Sequence, residues 1–148
     1  MQLILAGQPN CGKSTIFNAV AGYRSATANF PGTSISYTIS RVLILGREVS
    51  LVDLPGMYSL SSADGDEGVA LRYLLKENYD LVVNVVDASR LGRSLELTLQ
   101  LQELGHPMVV ALNMIDEARR HGIEVDAAAL AKELEVPVVE TISNRGTG

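Results

Sequence analysis

The sequence predicts a three-layer α/β fold: a six-stranded, mostly parallel sheet with one antiparallel strand at an edge and helices on both faces. Three observations carry this. Short apolar runs alternate along the chain with segments whose leucines recur at helical spacing, and such alternation places helices over both faces of a parallel sheet. The runs at 3–6, 81–86 and 107–113 are nearly free of polar residues, as strands buried on both faces are. A chain of 148 residues is long enough for one domain with a single substantial core.

Taken in order, the first strand spans about residues 2–6 and the first helix about 13–21, closed near Gly22. Residues 23–32 are rich in Ser, Ala, Asn, Pro and Gly and read as a long loop; long loops inside compact domains are usually functional. Residues 35–45 and 48–53 read as two strands of an antiparallel hairpin turning at Gly46-Arg47. A second loop, 55–68, carries three glycines, and Leu71, Leu74 and Leu75 then mark a helix up to about Asn78. Residues 81–86 form a buried strand, apolar except for Asn84, and Leu97, Leu101 and Leu104 mark a helix ending at Gly105. Residues 107–113 are a further buried strand, followed by a short helix over 117–121. Asp126 caps a helix over 127–135, and 136–141 is the last strand. A sheet covered on both faces asks for one more helix after residues 143–148, so the single domain 1–148 is expected to continue in a longer natural chain.

Composition narrows the function. Hydrophobic residues at 47% and charged residues at 20% describe an ordinary folded domain and not a disordered one. A net charge of −5 argues against nucleic acid as the main partner. One cysteine excludes an internal disulfide and suits a reducing compartment. The N-terminus runs straight into a strand with no secretory signal pattern. No apolar run approaches the ~20 residues that would span a bilayer, so the segment is expected to be soluble.

The densest signal is Gly7-Gln8-Pro9-Asn10-Cys11-Gly12-Lys13-Ser14-Thr15, which fits G-x-x-x-x-G-K-[ST] between a predicted strand and a predicted helix. Unpaired N–H groups and the positive end of a helix dipole coincide there, a combination that favours phosphate. Lys13 can reach β- and γ-phosphates, and the Ser14 hydroxyl can bind Mg²⁺. A plain strand-to-helix turn is the bland alternative.

Asp53-Leu54-Pro55-Gly56 follows an apolar strand. Its carboxylate can hold Mg²⁺ through water, and the Gly56 N–H can sense the γ-phosphate. Asn113-Met114-Ile115-Asp116 ends another strand. A carboxylate at Asp116 accepts both donors on one edge of guanine, whereas adenine would leave it unpaired. Asn113 would tie this base loop back to the phosphate loop. In isolation N-x-x-D could equally be a helix N-cap. Ser143-Asn144-Arg145, after the last strand, would contact the guanine oxygen and the sugar side through backbone groups.

This order of motifs resembles the translation-factor-like and Ras-like GTPases, with their P-loop fold. Within them the chain is most similar to the cytoplasmic GTPase domain of FeoB, the bacterial ferrous iron transporter. The closer match is carried by Gly7-Gln8-Pro9-Asn10, Asn29-Phe30-Pro31-Gly32, the run Asp53-Leu54-Pro55-Gly56-Met57-Tyr58-Ser59-Leu60, Asp66-Glu67 and Leu112-Asn113-Met114-Ile115-Asp116-Glu117.

The resemblance implies GTP or GDP as ligand, Mg²⁺ as cofactor and slow GTP hydrolysis. Lys13, Asn10 and Gly56 are then the catalytic candidates, and the two loops, about 23–36 and 54–68, change order with the γ-phosphate. A first-switch hydroxyl closes on Mg²⁺ beside Ser14 and Asp53; by register it is Ser34, with Thr33 as its neighbour and alternative, next to Gly32. Asn10 matches an asparagine associated with bound K⁺, although it could equally be a turn residue. Met57 stands where Ras-like enzymes carry a water-orienting glutamine, so water must be positioned by backbone, another side chain or an ion. Met114 replaces the lysine of the common N-K-x-D, and Gln8 a frequent asparagine with no derivable consequence. The resemblance further implies a membrane-embedded iron permease in the same full-length chain, at the cytoplasmic face of the inner membrane. It leaves oligomerisation open. Cys11, His106 and His121 read as structural. Two rivals are a ribosome-assembly GTPase, against which the charge speaks, and a nucleotide-binding switch with negligible turnover.

Overall fold

The computed structural model describes residues 1–22, 25–61 and 64–148. Residues 23–24 and 62–63, which belong to the two predicted switch loops, lie outside the described residues. In chain order the strands are β1 (Gln2–Gly7), β2 (Ser25–Asn29), β3 (Ser36–Ile44), β4 (Arg47–Asp53), β5 (Leu81–Asp87), β6 (Met108–Asn113) and β7 (Val138–Glu140). The helices are α1 (Lys13–Ala21), α2 (Gly65–Lys76), α3 (Leu91–Glu103), α4 (Ile115–Arg120) and α5 (Ala127–Leu134), with 3-10 turns at Ala88–Arg90 and Ser143–Arg145.

All seven strands lie in one sheet, ordered β2-β3-β4-β1-β5-β6-β7. β3 is antiparallel to both of its neighbours, and the other neighbouring pairs are parallel. The expected α/β architecture therefore holds, with two corrections. There are seven strands, not six, and the reversed strand is second from the edge. The added strand, β2, falls inside the segment read as a loop because its sequence, Ser-Ala-Thr-Ala-Asn, has one β-branched residue and two alanines. Pairing over five residues, from Ser25↔Ser40 to Asn29↔Ser36, overrides that weak intrinsic preference. Other boundaries also move. α2 begins at Gly65, inside the second predicted loop, with Asp66 and Glu67 in its first turn complementing the helix dipole. α4 begins at Ile115 instead of 117, and β7 is three residues long instead of six.

Alternation along β1 divides the core. Leu3 and Leu5 face a cluster with Phe17, Ala21, Val49, Leu51 and Val85, under α1. Ile4 and Ala6 face the larger cluster under α2 to α5, which includes Val52, Leu74, Leu97, Leu101, Val110 and Leu112. The polar Asn84, 1% exposed in the middle of β5, is satisfied on both sides. It donates to Ala6 O at 3.3 Å and accepts from Thr98 Oγ1 at 2.6 Å, joining β1, β5 and α3 without an unpaired buried group.

The parallel strands β1, β4, β5 and β6 end at one edge of the sheet with Gly7, Asp53, Asp87 and Asn113. Open α/β sheets bind ligands at that carboxyl edge.

Candidate functional site

β1 delivers the phosphate loop and α1 begins at its end. Gly12, the residue before α1, has φ +89°, a left-handed conformation that side chains resist. A Cβ at Gly12 would also collide with the Asn113 amide. None of the described side chains caps α1, so its first N–H groups remain available to a ligand. Ser14 and Thr15 are exposed at this end, and Asn10 is exposed in a left-handed conformation of φ 64°. A cleft of about 480 Å³ is lined by the phosphate loop and Gly56.

Lys13 is 7% exposed, and its ammonium forms an ion pair with Asp53 Oδ1. The residue meant for phosphate and the residue meant for Mg²⁺ thus sit side by side at the strand edge. Among the described residues no group of three His, Cys, Asp or Glu side chains could hold a metal alone. A hard cation here would draw on the Ser14 hydroxyl, the Asp53 carboxylate and ligand oxygens, a donor set suited to Mg²⁺. Burial raises the Cys11 thiol above its ordinary range, with Lys13 opposing that in part; the thiol is a packing group within the second core cluster.

After Asp53 the chain stays close to the phosphate loop. Met57 N donates to Gly7 O at 3.0 Å, and a Cβ at Gly56 would come within 3.0 Å of Pro9 backbone atoms. Met57 itself is fully buried in the larger core cluster. Gln8, a phosphate-loop residue whose departure from asparagine had no consequence derivable from sequence, is 8% exposed and donates through Nε2 to Arg93 O at 2.8 Å and to Tyr58 O at 3.5 Å. Arg93 lies over the Tyr58 ring at 4.9 Å. The phosphate loop, second switch and α3 are therefore fastened at one point.

At the other end of the cleft, Asn113 is completely buried. Its Nδ2 donates to Cys11 O and to Ser143 Oγ, each at 3.0 Å. Its Oδ1 accepts from Thr141 Oγ1 at 3.0 Å and Ser143 N at 3.1 Å. One amide thus binds the phosphate loop to the loop after β7, as the sequence led one to expect. Thr141 was missed because a threonine ending a strand carries no motif. Met114, with φ 61°, turns the chain into α4. A cavity of about 210 Å³ opens here, lined by Gly12, Thr15, Met114, Asp116, Ser143 and Asn144 among others. Gly12 and Thr15 line both this cavity and the phosphate cleft, so the two are contiguous. The Asp116 side chain is 17% exposed and meets Arg120 at 3.2 Å and Arg145 at 3.9 Å.

The first switch is held by bonds within its own turn and by ring contacts with Tyr37 and Tyr73. Phe30 N donates to Ile35 O at 2.9 Å and Thr33 N to Phe30 O at 3.2 Å, closing the β2–β3 turn through Gly32. Phe30 is 3% exposed and packs on Tyr37 and Tyr73, with ring centroids 4.8 and 5.4 Å away. The Thr33 hydroxyl accepts from Ile35 N at 3.0 Å within its own turn, and Ser34 is exposed. Thr33 lines a groove beside α2 with Phe30 and Tyr73. Gly32, Thr33 and Ser34 lie outside the lining of the phosphate cleft, as Asp53 does.

Known proteins share this fold and much of this sequence. The sequence profile of the family described as ferrous iron transport protein B matches residues 1–148. The chain is 45% identical to the Fe(2+) transporter FeoB of Salmonella typhimurium LT2, over 97% of this chain and 19% of that protein. Among solved structures, it superposes on the cytosolic domain of L. pneumophila FeoB with a TM-score of 0.95 at 39% identity, covering 100% of this chain and 65% of that one. It superposes on a GDP-bound E67A mutant of S. thermophilus NFeoB with a TM-score of 0.93 at 38% identity, covering 100% and 58%. The chain spans about a fifth of the length of the curated relatives it matches, at 19%.

Proposed function

The chain belongs to the family of ferrous iron transport protein B, and from that premise we propose that it is a nucleotide-dependent switch domain. It binds GTP or GDP with Mg²⁺ and hydrolyses GTP slowly by in-line attack of water. The observation that carries this reading is the Asn113 network, which joins the phosphate loop to a base-sized cavity edged by Asp116.

Each residue has a role in this reading. The phosphate-loop N–H groups and Lys13 hold the β- and γ-phosphates, and Gly7, Pro9, Cys11 and Gly12 shape the loop that presents them. Mg²⁺, when bound, neutralises charge on the phosphate oxygens; Ser14 and Asp53 would hold it, joined by Ser34 or Thr33. Asp116 selects guanine through its two donors, with Ser143, Asn144 and Arg145 around the base and sugar. Gly56 reports the γ-phosphate through its N–H. Met57 is buried, so water is oriented by other groups, and Asn10 would hold a K⁺ ion near the phosphates.

In the full-length protein this domain lies at the cytoplasmic face of the inner membrane, and its switching regulates passage of ferrous iron through a membrane-embedded permease. Support for this wider role is the family and the 19% of its relatives' length that the chain spans. The buried Met57 favours one second reading, a switch with negligible turnover.

GTP turnover measured in K⁺ and in Na⁺ at equal ionic strength separates the two. Faster turnover in K⁺, lost in Asn10→Ala, is the expected result; equal and negligible rates would leave the turnover-free switch. Base recognition is tested by Asp116→Asn, which should move preference from guanosine toward xanthosine nucleotides by about a hundredfold or more. An unchanged preference in a competition titration would refute the assignment.

A further inference from the structure

We propose that Arg120 competes with the guanine base for the Asp116 carboxylate and thereby sets how fast nucleotide leaves; this rests on the guanine reading above. Arg120 ends the six-residue helix α4, one turn beyond Asp116. Its Nη2 lies 3.2 Å from Asp116 Oδ2, and its Nη1 lies 3.1 Å from Glu117 Oε2. The same side chain lines the base cavity. An acid preceding a base by four residues is the favourable order for a helical ion pair, so the contact belongs to the helix itself.

Guanine asks for both carboxylate oxygens, one for its ring N–H and one for its exocyclic amine. Arg120 engages one of them, Oδ2, and sits in the cavity wall that the base must approach. A neutral base that takes over Oδ2 replaces a charged donor, so part of the binding free energy is spent on moving the guanidinium. Glu117 gives that guanidinium a place to retreat: Arg120 keeps its second partner when it releases the first. Because the Arg120 side chain is 62% exposed, solvent screens the pair and the effect is a modest factor, not orders of magnitude.

The test compares release of GDP and of inosine diphosphate, which lacks the exocyclic amine and so asks for a single carboxylate oxygen. Release is followed with a fluorescent derivative of each nucleotide from the wild type, Arg120→Ala and Arg120→Lys. Arg120→Ala should slow GDP release about two- to fivefold, slow inosine diphosphate release by less than half that factor, and leave Arg120→Lys between the two. Unchanged or faster GDP release from Arg120→Ala overturns the proposal, and so does equal slowing of both nucleotides, which would mark a structural effect. A wild type that binds no GDP would instead remove the guanine reading itself.

Discussion

The two ends of the nucleotide cleft are built on different terms. At the base end a single buried amide, Asn113, makes four hydrogen bonds to three residues in two segments, and the cavity beside it is shaped in advance. At the switch end the Thr33 hydroxyl is turned into its own loop, accepting from Ile35 N, and Phe30 anchors that loop in a three-ring cluster with Tyr37 and Tyr73. Recognition of the base needs a rigid frame, since a misplaced Asp116 would not discriminate. Sensing a γ-phosphate needs a segment with two arrangements, of which one is stabilised here by burial and the other would be stabilised by ligand.

That contrast predicts different consequences at the two ends. Removing the amide in Asn113→Ala leaves buried groups on both sides unpaired, and each costs on the order of 1–3 kcal/mol. The variant should lose about 3 kcal/mol in urea unfolding and bind GDP far more weakly. A loss under about 1 kcal/mol would mean the frame does not depend on this residue. Phe30→Ala should cost about 3 kcal/mol in stability, the low end for a buried phenylalanine, because the groove beside it lets the turn collapse into the cavity. Its specific consequence is release of the first switch, so affinity for a GTP analogue should rise relative to GDP. An unchanged ratio of affinities would show that Phe30 is filler and not a latch.

The smallest effect concerns Tyr73, the tyrosine that Phe30 meets edge-on. Burial, with help from Tyr37 and Glu77, pushes its hydroxyl up to about 12 from an ordinary 10. The folded state therefore binds this proton more tightly than the unfolded chain. The resulting stabilisation is complete below pH 10 and is lost as pH rises through 12. Tyr73→Phe loses the hydrogen bond from Gln2 and should cost under about 1 kcal/mol at neutral pH. Its stability should also fall less steeply than that of the wild type between pH 10 and 12. Parallel pH curves for the two proteins would contradict this.

What could be read in advance follows the same division. The phosphate loop, Asp53, Asn113 and Asp116 were legible because their chemistry demands fixed residue types at fixed spacing on strand ends. The Asn113 tie to the phosphate loop was legible too, since a buried amide at that strand end must find backbone partners. β2 was not, because Ser-Ala-Thr-Ala-Asn forms a strand only once β3 is there to pair with it. Gln8 was opaque for a similar reason. Its partners are backbone carbonyls 50 and 85 residues away, and nothing in a local pattern points to them. Arg120 belongs to no motif, and its tie to Asp116 depends on α4 starting at Ile115, which puts the two one turn apart.

The most direct test of the account is hydrogen exchange across residues 25–36 and 108–145, compared between the GDP-bound domain and the domain bound to a non-hydrolysable GTP analogue with Mg²⁺. Exchange in 25–36 should change strongly as Phe30 leaves its seat and the Thr33 or Ser34 hydroxyl closes on the metal, while 108–145 should exchange alike in both. Equal exchange in 25–36 for the two nucleotides, or a change centred on the base end, would contradict the division between a fixed reader and a moving sensor.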